Sequence, residues 1–165
     1  MATELFTIAD YDLESMPAKD IVGKQRYGIV VAEWNYSITK VLKEGAYETL
    51  LENGAIEQNI DIIHVSGTIE LTYGAKLLME LEKKYHAIIV LGCVIQGETR
   101  HFDFVCDSIT QGITQLNLRE KGCPVIFGVL TTDNLQQAKD RAGGIHGNKG
   151  NEAAITAIKM VNIIL

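Results

Sequence analysis

Among the groups able to move protons, His101 is the best placed. It follows the polar stretch Gln96, Gly97, Glu98, Thr99, Arg100, which separates an apolar run (Ala87, Ile88, Ile89, Val90, Leu91, broken by Gly92) from a resumed helical pattern. That order predicts a buried parallel strand, a loop and a helix. An unperturbed imidazole has a pKa of about 6.5, which suits a loop histidine to general acid–base work near neutral pH. A structural imidazole and a metal ligand are the competing readings. No second histidine or cysteine stands at ligand spacing and Asp103 alone is weak support, so no metal is expected. His64 lies within a predicted strand, His86 directly before one, and His146 is less suggestive.

Other groups offer binding chemistry. Trp34, the single tryptophan, stands with Glu33 and Asn35 just past a predicted strand rather than in a periodic apolar face. It is either a packing residue at the sheet edge or a stacking platform for a planar heterocycle. Glu70 follows the turn Ser66, Gly67, Thr68 and either favours a helix N-terminus or binds the hydroxyl groups of a polyol. Gly97, Glu98 and Thr99 precede a helix whose free N–H groups attract anions, and Arg141 supplies a cation suited to a small phosphate. Neither GxGxxG nor GxxxxGK[ST] occurs, so the dinucleotide and P-loop fingerprints are absent. Cys93 is a conceivable nucleophile, but nothing marks a base placed for it.

The elements that must position these groups alternate in type. Strands are predicted at 27–32, 60–65, from 87, and at 124–130. Helical spacing follows each: Ile38, Val41, Leu42, Ala46, Leu50 up to Asn53-Gly54; about 69–84 with Leu71, Ala75, Leu78, Leu81; Val105, Ile109, Ile113, Leu116; and a short helix ending near Ala142, for which Asp133 and Gln136 form a capping box. After the loop GGIHGNKG (143–150), a last helix starts at Glu152. The fold class predicted is a flavodoxin-like three-layer α/β sandwich, a four-stranded parallel sheet with helices on both faces and right-handed crossovers. Its strand ends bring 33–37, 66–70, 93–101 and 131–134 to one rim, where ligands of open parallel sheets bind. Residues 1–25, interrupted by Pro17 and Gly23, carry no clean period and are expected to form an arm on a neighbouring subunit; residues 26–165 form one domain.

Composition narrows the classes further. A length of 165 residues fits one domain, and 47% hydrophobic with 22% charged residues are globular values. The net charge of −6 without a basic cluster argues against nucleic acid or an anionic membrane as partner. The acidic, polar N-terminus does not read as a signal peptide, and the longest apolar run is too short to span a bilayer. Cys93, Cys106 and Cys123, odd in number and without CxxC spacing, predict free thiols in a cytoplasmic protein.

The motifs RYGIVVAEWN, SGTIE, LGCVIQGETRHFDFVC, PVIFGVLTTDN, and DRAG followed by GNKG occur in this order from Arg26 onward. Together they resemble the 6,7-dimethyl-8-ribityllumazine synthases of riboflavin biosynthesis. The resemblance implies a transferase that condenses 5-amino-6-(D-ribitylamino)uracil with 3,4-dihydroxy-2-butanone 4-phosphate, releases phosphate and water, and needs no cofactor. By position, Trp34 matches the aromatic residue stacked on the pyrimidine, with Asn35 beside it in the same segment. Thr68, Ile69 and Glu70 match the segment holding the ribityl chain, and Cys93, Val94 and Ile95 the segment whose backbone meets the uracil. Glu98 and Thr99 match the phosphate loop, Arg141 the phosphate-binding arginine and His101 the proton-transfer histidine. Phe127 matches an aromatic residue supplied by the adjoining subunit.

Two departures stand out: Ile69 where the family often has phenylalanine, and Ile145, followed by His146, where many members have a lysine near the phosphate, which implies either weaker phosphate affinity or compensation by Lys149. The resemblance further implies homopentamers with sites between neighbours, a 60-subunit icosahedral shell suggested by the short GGIHGNKG connection, and riboflavin synthase as a candidate partner. A non-catalytic flavin or lumazine carrier, or a shell-forming container, is the alternative.

Overall fold

Four runs of β-branched and aliphatic residues form one parallel sheet because both of its faces are buried. A computed structural model describes residues 16–163. Strands β1 (Tyr27–Ala32), β2 (Ile60–Val65), β3 (Ala87–Ile95) and β4 (Val125–Thr132) lie in the order β2-β1-β3-β4, all parallel. The central strands β1 and β3 are almost wholly buried, whereas β2, an edge strand, is only half so. Alternation along each strand sends Ile29, Val31, Ile89, Leu91, Ile126 and Leu130 to one face. There they meet α2 (Tyr36–Glu52) and α6 (Lys149–Val161). Val30, Ala32, Ile88, Val90, Val125 and Val129 point the other way, against α3 (Leu71–Glu80) and α4 (His101–Asn117). The three-layer sandwich expected from the sequence is therefore present.

Several boundaries differ from the sequence reading. Gly92 does not end β3, because β4 continues to supply ladder partners as far as Ile95 opposite Thr132. Its missing side chain serves packing instead: a Cβ there would come within 2.9 Å of Leu71 Cδ1 and 3.1 Å of Thr68 Oγ1. The helix predicted over 69–84 runs only from Leu71 to Glu80, since the backbone turns extended at Leu81. β4 reaches Thr132, two residues further than expected.

The short helix is α5 (Leu135–Asp140), and its cap is Asn134, whose side chain accepts from the Gln137 N–H. Gln137 in turn accepts from the Asp133 N–H, so the predicted box operates one residue later than Asp133 and Gln136. The GGIHGNKG segment is not an open loop but a tight antiparallel pair, β5 (Ala142–Gly144) and β6 (Gly147–Asn148). The last helix starts at Lys149, three residues before Glu152, because Asn148 caps it by accepting from the Gly150 N–H. In the predicted arm, residues 1–15 lie outside the described residues; beyond them a single turn, α1 (Lys19–Val22), sets Val22 in the core of this same chain. Among the described residues no helix is long and apolar enough to cross a membrane.

Candidate active site

The C-terminal ends of β1, β2 and β3 and the start of α4 enclose a cavity of about 390 Å³. The floor is β3, where Cys93 is fully buried and Val94 and Ile95 partly so. Beyond β1 the chain turns through Trp34 and Asn35, and this turn is tied to the β2 end: Glu33 N–H donates to Val65 O (2.8 Å) and Trp34 N–H to Ser66 O (3.1 Å). Asn35 Nδ2 donates to Cys93 O at 2.9 Å. The Trp34 indole is 71% exposed, unusual for the largest apolar side chain in a protein.

Thr68 is buried in the next turn against Gly92, while Ile69 and Glu70 stay exposed at its rim. On the fourth side, Gly97, Thr99, His101, Phe102 and Val105 close the wall. His101 is the first residue of α4, not a loop residue, and its backbone N–H leans on Thr99 Oγ1 (3.4 Å). The positive dipole end of this helix faces the same space.

A second cavity, about 630 Å³, lies at the β4 end of the sheet and holds Phe127, Thr131, Thr132, Arg141, His146 and Lys149. Here Arg141 is not free. Its Nη2 donates to Glu152 Oε2 at 3.0 Å, while its Nη1 stands 2.8 Å from Glu152 Oε1 as an ion pair and donates to the His146 carbonyl. Lys149 Nζ adds a third bond to Glu152 Oε2 at 3.1 Å. Burial alone would push the Glu152 carboxyl up, but the bond from Arg141 and the charge of Lys149 outweigh it and hold it below the ordinary carboxylate value.

Comparison with known proteins shows the family. Residues 24–164 match the model of the family described as 6,7-dimethyl-8-ribityllumazine synthase. The chain belongs to that family. It is 53% identical over 164 residues to the 6,7-dimethyl-8-ribityllumazine synthase of Porphyromonas gingivalis, covering 99% of this chain and 98% of the relative. The protein of the same name from Parabacteroides distasonis is 54% identical over 162 residues, covering 98% of both chains. That of Cytophaga hutchinsonii is 61% identical over 135 residues, covering 82% of this chain and 84% of the relative.

Of the site residues expected from the lumazine synthase resemblance, Trp34, Asn35, Thr68, Ile69, Glu70, Cys93, Val94, Ile95, Thr99 and His101 share the first cavity. Glu98 is exposed beside it without lining it. Phe127 and Arg141 stand apart in the second cavity. Cys93 is a poor nucleophile here, since burial pushes its thiol up to about 11. Ile145 is 81% exposed at the tip of the β5–β6 hairpin. Sequence reasoning missed Glu152 as the partner of Arg141. The available signal was the Lys149 to Glu152 spacing of three on a helix, which places opposite charges side by side.

Proposed function

We propose that this member of the lumazine synthase family condenses 5-amino-6-(D-ribitylamino)uracil with 3,4-dihydroxy-2-butanone 4-phosphate to 6,7-dimethyl-8-ribityllumazine, releasing phosphate and water. The observation that carries the reading is the single cavity in which an exposed indole, a buried strand end and a helix N-terminus headed by a histidine face one another. The indole stacks the flat pyrimidine, and the backbone of Cys93, Val94 and Ile95 meets its polar edge. Thr68, Ile69 and Glu70 take the ribityl chain. The backbone N–H groups at Glu98 and Thr99, in the turn before α4, hold the phosphate. Binding both partners in one orientation turns an encounter into an intramolecular step. His101 then moves protons as the amine attacks the ketone, the imine forms, phosphate leaves and the ring closes.

In this reading the site is completed by a second copy of the chain. Phe127 and Arg141 line a different cavity from His101 within one chain, so they serve the site of a neighbour in a homopentamer. The short hairpin of residues 142–148 suits closure of pentamers into a 60-subunit shell. Three unpaired thiols suit the reducing cytoplasm. The test mixes purified protein with both substrates and follows the lumazine chromophore. Turnover in the parent, a slower rate with His101→Ala and a raised requirement for the butanone phosphate with Arg141→Ala are expected. No lumazine above the spontaneous rate would leave only a carrier or container. Sedimentation as free pentamers would remove the shell.

A further inference from the structure

Asn35 holds the N-cap position of α2, where an asparagine side chain ordinarily accepts a hydrogen bond from the first turn of its own helix. It makes no such bond. Its backbone is left-handed instead, with φ 58° and ψ 42°, and among the described residues it is the one non-glycine with positive φ. Asparagine tolerates that conformation better than most residues, yet it remains disfavoured, so a specific contact must hold it. The contact is the bond from Nδ2 to Cys93 O, between residues 58 apart in sequence.

Strand geometry explains why that carbonyl is available. β1 pairs with β3 only as far as Val31 opposite Leu91 and ends at Ala32. Cys93 lies past that last pairing, and the Asn35 amide supplies the donor that a longer strand would have offered. Because a carbonyl only accepts, the bond fixes which way round the amide sits.

Trp34 depends on this arrangement. Its indole is largely solvent-exposed and makes no ring–ring contact among the described residues, so neighbouring side chains do little to orient it. Its placement rests on the backbone, pinned upstream at Ser66 O and downstream through Asn35. We propose that Asn35 is the positioning residue of the Trp34 platform, its amide bridge to Cys93 O holding the left-handed turn that sets the indole at the cavity. The kinetic half of the test rests on the proposed synthase reading; the optical half does not.

Two substitutions separate the bridge from the backbone. Asn35→Asp keeps the size and tolerance for positive φ but sets a carboxylate oxygen against the Cys93 carbonyl. Asn35→Gly adopts the backbone freely and lacks the bridge. Since Trp34 is the only tryptophan, its fluorescence anisotropy reports the platform directly in the intact, ligand-free protein. Anisotropy is expected to fall in both variants. In Asn35→Asp the KM for the ribitylaminouracil should rise about tenfold, the scale of one hydrogen bond, with kcat and the KM for the butanone phosphate held.

Parent-like anisotropy in the variants overturns the proposal, including when the uracil KM rises, because the amide then acts only by touching the ligand. Lowered anisotropy with an unchanged uracil KM overturns it too. If Asn35→Asp does not fold, Asn35→Gly decides by the same two readouts. Lowered anisotropy in a protein that makes no lumazine upholds the positioning and removes the synthase reading.

Discussion

Replacing Glu152 by Gln takes away the one carboxylate that two mostly buried cations share. The side chains of Glu152, Arg141 and Lys149 are 12%, 18% and 29% exposed. Breaking a fully buried pair from one side costs about 3–5 kcal/mol, whereas a surface pair is worth about 0–1. This cluster falls between, with Lys149 still wetted, and the Gln amide oxygen can keep one of the Arg141 bonds, so a loss of about 2 kcal/mol is expected. For a domain of this size that lowers the melting midpoint by about 4–8 °C, measured at equal protein concentration for both forms.

The pH dependence has a definite sign. The folded carboxyl lies below its ordinary value, so its contribution is complete above the unfolded value of about 4.3 and is lost as pH falls through the folded pKa. The gap between parent and variant should therefore be constant near neutrality and close in acid. A variant that melts with the parent at pH 7, or a gap that persists unchanged in acid, refutes the reasoning.

Further outcomes follow from single contacts. Gly92→Ala should cost about 1–3 kcal/mol, because the new methyl meets Leu71 and Thr68; a thermal melt matching the parent would show that the 66–70 turn does not sit tightly on β3. Thr39→Val should cost about 1–2 kcal/mol in chemical denaturation, since the fully buried hydroxyl donates to Ala32 O at 2.8 Å and valine keeps the shape without the bond. Trp34→Ala should leave stability within about 0.5 kcal/mol, the indole being exposed, while the uracil KM rises; the reverse pattern would make Trp34 a packing residue. Arg141→Lys should raise the butanone phosphate KM nearly as much as Arg141→Ala, because an ammonium lacks the planar fork; recovery of the parental KM by lysine would contradict that.

The sheet was legible because a buried parallel strand advertises itself locally. β1 and β2 span the residues expected, since unbroken runs such as Tyr27, Gly28, Ile29, Val30, Val31, Ala32 have few other ways to be buried. What failed were features set by a distant partner. Gly92 looks like a strand end, but whether β3 continues depends on β4, some 35 positions away, which pairs it to Ile95. Asp133 and Asn134 are equally plausible caps by type; the path of β4 out to Thr132 decides for Asn134. Three of the four expected rim segments meet at the first cavity, since topology brings their strand ends together, but the fourth, 131–134, does not: Thr131 and Thr132 line the second cavity. The separation of Arg141 from His101 was not legible, because it depends on where the chain after β4 runs; that of Phe127, a β4 residue, was implied only by the family resemblance.

The proposed phosphate role of Arg141 is compatible with its pairing to Glu152. A guanidinium carries five N–H donors. Glu152 accepts one from Nη2 and holds Nη1 in an ion pair, and the His146 carbonyl accepts one from Nη1. The Nε–H enters neither of these bonds, and the side of a guanidinium that carries Nε–H is one of the two edges able to meet a phosphate. Glu152 thus holds the guanidinium through its terminal nitrogens. Lys149 shares the same carboxylate, so the three side chains together keep one net positive charge. Under the proposed phosphate role, this singly positive cluster takes up the anion without first breaking its own ion pair, so Glu152→Gln and Arg141→Lys are expected to weaken the same step by different routes: one loosens the guanidinium, the other removes its planar fork.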